Sequence, residues 1–140
     1  MMPVVIADLS DRPIDVAEHL AAVEHPSAGA VASFIGRVRD HDPGADGEVV
    51  ALDYTAHPDA IVALGAIAER FDGDGVRIAV SHRIGHLEVG GVALVACVST
   101  AHRAEAFDVC RALVEAVKAE LPVWKRQLER DGSHSWVGIA

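Results

Sequence analysis

Apolar and polar positions alternate along this chain in blocks of recognisable period. PVVIADL, residues 3–9, is a short apolar run rich in β-branched residues and predicts a strand. Ile14, Val16, Leu20 and Val23 then recur at helical spacing behind Pro13, which predicts a helix with proline near its first turn. GAVASFIGRVRD, residues 29–40, reads as a long strand, and EVVALDYTA as its antiparallel partner across the loop HDPGADG, residues 41–47. Ile61, Leu64, Ile67, Ala68 and Phe71 mark a second helix over 58–71. VRIAVSHRI and GVALVACVST predict two more strands, and a third helix runs from about Ala101 to Leu121, closed by Pro122. VWKRQLE and SHSWVGI complete the pattern as a strand pair around a DGS turn. Strands interrupted by three helices, with several hairpins, predict an α+β fold on a mixed, largely antiparallel sheet. With no repeat, linker or low-complexity tract in 140 residues, a single domain is expected.

Composition removes several function classes. A net charge of −9 opposes general affinity for nucleic acid or anionic membrane, because both attract basic surfaces first. No apolar stretch approaches the roughly 20 residues that span a bilayer, and no basic, apolar, small-residue leader opens the chain, so a cytoplasmic protein is expected. Cys97 and Cys110 have neither the number nor the spacing of a disulfide or zinc framework and read as small core residues. His82 and His86 share a strand face only if the strand stays regular through Gly85. No third ligand has a recognised spacing near them, so no metal is expected. Gly-rich phosphate loops, GxSxG and CxxC are absent from the sequence.

The positive charge is distributed unevenly. Ten arginines accompany two lysines, Lys118 and Lys125, both inside VKAELPVWKRQ. On the third helix Lys118 falls about 20° from Phe107, at the edge of an apolar stripe of Phe107, Cys110, Val114, Val117 and Leu121. It fits an amine at the mouth of a cleft, and it equally fits a surface lysine paired with Glu115. Lys125, on the strand after Pro122, shares a face with Val123 and opposes Trp124 and Arg126; its plain reading is an edge-strand lysine. Arginine fills those surface roles equally well, whereas only lysine offers an amine that can lose a proton. Two retained lysines at one corner therefore point to amine chemistry.

Two further cation clusters stand out. In STAHRAEAF, Thr100 reads as an N-cap, with His102 and Arg103 in the first helical turn. Cations there oppose the helix dipole, so a bound anion gives them a purpose, although two solvated side chains balanced by Glu105 fit as well. In FIGRVRDH, Arg37 and Arg39 project from one strand face while Phe34 faces the other way, forming a fork for an anion or an ordinary solvated pair.

Taken in order, SFIGRVRDH, HRIG, STAHRAEAF and LPVWKRQ followed by DGS and WVG resemble the large, catalytic subunits of molybdopterin synthases, the MoaE family. The similarity covers residues 29–138. It implies an α/β hammerhead fold and conversion of cyclic pyranopterin monophosphate (precursor Z) to molybdopterin, with two dithiolene sulfurs inserted and no cofactor. The implied sulfur donor is a separate small ubiquitin-like carrier subunit with a thiocarboxylated C-terminal Gly-Gly. The implied assembly is a homodimer of large subunits, a heterotetramer with its carriers, whose pockets use residues from both large subunits. By the same resemblance, Lys118 and Lys125 are catalytic. Phe34, Arg37, Val38, Arg39, His102, Arg103, Arg126 and Gln127 bind the pterin phosphate. Many members carry Glu where this chain has Gln127, so a carboxylate role does not carry over. Two other readings predict different behaviour: a scaffold that binds a carrier tail without chemistry, and an enzyme of the same fold acting on another phosphorylated small molecule.

Overall fold

The computed structural model describes residues 4–42 and 47–138; residues 43–46, at the centre of the 41–47 loop, and both chain ends lie outside them. The order is β1 (Val4–Ser10), α1 (Val16–Ala22), β2 (Ala30–Arg37), β3 (Val49–Ala56), α2 (Ala60–Glu69), β4 (Arg77–Arg83), β5 (Gly85–Glu88), β6 (Val92–Thr100), α3 (Arg103–Glu120), β7 (Val123–Glu129) and β8 (His134–Gly138). The α+β class is as expected, with three helices. The strands, however, divide between two four-stranded sheets, ordered β1-β4-β6-β2 and β5-β3-β7-β8. Among the described residues only the β1–β4 pairing is parallel; the other pairings are antiparallel. No helix among the described residues is long and apolar enough to cross a membrane.

The expected β2–β3 hairpin does not form. β2 pairs with β6, from Ala30 opposite Thr100 to Arg37 opposite Val92, and β3 pairs with β5 and β7. The reason lies in β6, where Ala93 to Thr100 are all buried; a strand that is apolar on both faces requires neighbours on both edges and takes β2 and β4. Residues 38–48 then carry the chain from the first sheet to the second. Ile78, Val80, Leu94, Ala96 and Val98 face α2 and α3, while Ala79, Val95 and Cys97 face Val16 and Val23 around α1. A third cluster, including Val38, Val49, Leu52, Tyr54 and Ala93, joins the two sheets.

Helix α3 buries Ala106, Cys110, Leu113, Val114 and Val117. Phe107, assigned to that stripe from the sequence, is 65% exposed, because it sits about 100° round the helix from Ala106. Lys118 is half-buried on the same flank. The helix also starts later than expected: Thr100 is the last residue of β6, its Oγ1 donates to the His102 carbonyl, and His102 occupies the N-cap without a side-chain cap. Leu113 is fully buried between α3 and the first sheet. Leu113→Ala is expected to lower stability by about 2–5 kcal/mol in urea unfolding, with cavity formation adding to the lost transfer energy.

Candidate active site

Pro122 stops α3, and β7 begins one residue later, so Lys118 and Lys125 approach one cavity from a helix and a strand. The cavity encloses about 360 Å³ where the two sheets meet. Arg39, Asp42, Tyr54 and Gln127 share its lining. Lys125 Nζ lies 3.4 Å from Asp42 Oδ2. The Lys118 amine has its pKa pushed down, first by burial and then by the charges of Lys125 and Arg39. Lys118 thus holds a proton less firmly than a surface lysine does.

Alternation along β7 sorts the WKRQ residues. Lys125 and Gln127 line the cavity, whereas Arg126 on the opposite face donates to Asp53 at 2.6 Å and lies over the Trp136 ring. The Arg126 bond, followed by that from His86, holds the Asp53 carboxyl below its usual range. The structure therefore separates Arg126 from the cavity. Gln127 is fully buried; its Oε1 accepts from Ser135 Oγ at 3.4 Å, and its Nε2 has no partner among the described residues.

The basic strand differs in detail from its sequence reading. β2 ends at Arg37, and its register with β6 breaks between Gly36 and Arg37, so strict alternation does not continue. Phe34 accordingly lines the same cavity as Arg37 and Arg39 instead of facing away. Its ring leans over Gly36, where a Cβ would come within 3.0 Å of Phe34 Cε2. Arg37 donates from Nε and Nη2 to the Gly90 carbonyl at 3.1 and 3.0 Å, leaving Arg39 as the more available arginine of the pair. Val38 is buried in the cluster joining the sheets and shapes the wall.

His102 and Arg103 are exposed at the opposite end of α3. At 1.5 Å per residue they lie on the order of 24 Å from Lys118 along the helix. One copy of the chain does not bring them to the lysine cavity.

The sequence reading missed Tyr54 and Asp42 in the lining, and His82 behind it. Tyr54, the chain's one tyrosine, is buried and its hydroxyl pKa is raised to about 12, by burial and then by Asp42. A lone Tyr in a β-branched run was the available signal. His82 is fully buried and its pKa is lowered to about 4, first by burial; its bond to Arg83 opposes the shift and the Lys118 charge adds to it. The unfolded chain, with His82 near 6.5, binds the extra proton between those values, so stability rises with pH from about 4 to 6.5. Acidification from pH 7 to 4.5 is expected to remove about 2–3 kcal/mol through this group. Urea unfolding at the two pH values should show a smaller loss in His82→Gln.

The family model described as MoaE protein matches residues 9–120. Molybdopterin synthase catalytic subunit 1 of Mycobacterium tuberculosis is 44% identical over 133 residues, covering 93% of this chain and 88% of that protein. The molybdopterin synthase catalytic subunit of Halalkalibacterium halodurans is 37% identical over 135 residues, covering 93% and 83%. A crystal structure of molybdopterin synthase from Staphylococcus aureus matches with a TM-score of 0.82 at 28% identity, covering 96% of this chain and 95% of that one. Likeness in sequence and in fold thus extends over nearly the whole chain, and the chain belongs to the MoaE protein family.

Proposed function

We infer that this protein is the catalytic subunit of a molybdopterin synthase, a sulfurtransferase of molybdenum cofactor biosynthesis. It converts cyclic pyranopterin monophosphate to molybdopterin with sulfur from the thiocarboxylated tail of a separate small ubiquitin-like carrier. The observation that carries the reading is the convergence of Lys118, Lys125 and Arg39 on one cavity in a chain of net charge −9. Substrate phosphate and thiocarboxylate are both anionic, and a focused cationic cavity reverses the repulsion of the whole protein. With metabolite and carrier both water-soluble, the reaction belongs in the cytoplasm.

Each transfer forms a carbon–sulfur bond as the thiocarboxylate sulfur attacks a side-chain carbon of the pterin and a carbon–oxygen bond there breaks, once opening the cyclic phosphate to a monoester and once losing the oxygen as water, which gives an acyl-sulfur link to the carrier. Water then attacks the acyl carbon, the carrier leaves as a carboxylate, and sulfur stays on the pterin. Lys118 and Lys125 stabilise the negative charge that develops at each stage. Lys118, with its lowered pKa, exchanges the protons.

The phosphate site draws on a second copy. His102 and Arg103 lie beyond reach of Lys118 in their own chain, and the midpoint between the two ends falls beside Arg111. A two-fold axis there carries one copy's His102 and Arg103 toward the other copy's Lys118 and Arg39. Between the two ends, Phe107 and the half-exposed Phe34 border an apolar groove of about 240 Å³ next to edge strand β2, a surface suited to the second copy. Reconstitution with thiocarboxylated carrier and pterin precursor tests the proposal. Dithiolene product, read as its oxidised fluorescent derivative, is expected; carrier binding without product supports a scaffold instead.

A further inference from the structure

The fully buried imidazole of His82 has no part in the scheme above, although it lies directly behind the cavity. His82 follows Ile78 and Val80 along the face of β4 that packs under α2 and α3, the helix that carries Lys118. Its Nδ1 is 2.6 Å from the Arg83 carbonyl oxygen. A carbonyl only accepts, so Nδ1 carries the proton and Nε2 keeps its lone pair. That Nε2 is buried and meets no donor among the described residues. The ring meets Tyr54 edge-on, with centroids 4.9 Å apart, and Tyr54 forms part of the cavity wall. A fully buried acceptor left unmatched opposes folding, and such groups persist where function uses them.

We propose that His82 is a positioning residue for Lys118: its Nε2 lone pair, which no protein donor among the described residues reaches, accepts from one bridging water that in turn accepts an N–H of the Lys118 ammonium, and this steadies the amine at the cavity wall. The proposal rests on the reading of Lys118 as the proton-exchanging amine. A carboxylate in the same place forms an ion pair and holds the proton on lysine, whereas a neutral imidazole orients the ammonium and still lets the proton leave. Burial keeps the imidazole neutral, and the Lys118 charge reinforces this. The charges of Lys125 from β7 and Arg39 beyond β2 act on the amine; Tyr54 from β3 meets the imidazole edge-on, and the charge of Lys118 from α3 reaches it.

The chain's two lysines make the test direct, because ¹³C-lysine labelling gives two ε-methylene signals, assigned with Lys125→Arg. In His82→Asn, which keeps a short donor near Arg83 but removes the ε lone pair, the Lys118 pKa should fall by roughly half a unit or more while Lys125 stays in place. His82→Gln, with Oε1 near the ε position, should restore it. Turnover of His82→Asn should fall about tenfold or more in kcat, with KM for the carrier unchanged. An unaltered Lys118 titration in His82→Asn overturns the proposal. If that variant does not fold, the His82 ¹⁵Nε2 shift in Lys118→Ala decides, and no change from wild type overturns it equally. Absence of product from the wild-type protein overturns the sulfur-transfer reading alone, since the lysine titration needs no turnover.

Discussion

Lys118→Ala is expected to cut dithiolene formation by about a thousandfold or more, because the variant loses both a charge at the developing anion and a proton carrier. Each of those roles alone is worth on the order of a hundredfold. The fold should remain intact. Lys118 is half-buried on the flank of α3 and has no part in the buried stripe, so its stability change should stay within about 1 kcal/mol. Removing it also relieves repulsion from Lys125 and Arg39. Lys118→Arg separates the two roles, since guanidinium keeps the charge but does not release a proton. It should bind carrier normally and run about a hundredfold faster than the alanine variant yet about a hundredfold slower than wild type in single-turnover product formation, with circular dichroism and urea unfolding as fold controls. A Lys118→Ala variant with near-normal turnover removes the amine from the mechanism.

The second large effect comes from mixing variants. If Lys118 of one copy works with Arg103 of the other, both Lys118→Ala and Arg103→Ala homodimers should be nearly inactive. Unfolding and reassembling them together places an intact Lys118 and an intact Arg103 in one of the two sites of each mixed dimer. Random reassortment makes half of the dimers mixed, so about one quarter of wild-type activity should return. If both residues act within a single copy, mixing restores nothing. The α3 geometry argues for the first outcome, because about 22 Å of helix separates the residues in their own chain.

Much of the fold was legible where periodicity was strong and local. α2, α3, β1, β4, β6 and the β7–β8 pair appear where Leu64, Val114, Ile78, Val95 and Lys125 indicated, because burial on one face, or on both for β6, leaves a plain pattern. Pairing was not legible in the same way. Nothing local to GAVASFIGR says that it leaves EVVALDYTA for β6; that choice follows from β6 being apolar on both faces. The site behaved similarly. Counting lysines isolated Lys118 and Lys125, and alternation put Arg126 opposite Lys125, which is where it lies. Tyr54 and His82 were missed because their neighbours come from different sheets. Phe107 looked like core because helical spacing does not mark where the packed face ends, and on α3 that face ends one position short of it.

Movement of sulfur from the carrier tail to the pterin in this cavity can be followed by isotope. The most direct measurement is mass spectrometry of the product formed from ³⁴S-thiocarboxylated carrier, unlabelled pterin precursor and the wild-type protein. A dithiolene with heavy sulfur at both positions is expected, with carrier recovered as carboxylate in proportion. Product without the label, or labelled carrier left intact beside bound precursor, contradicts sulfur transfer in this cavity.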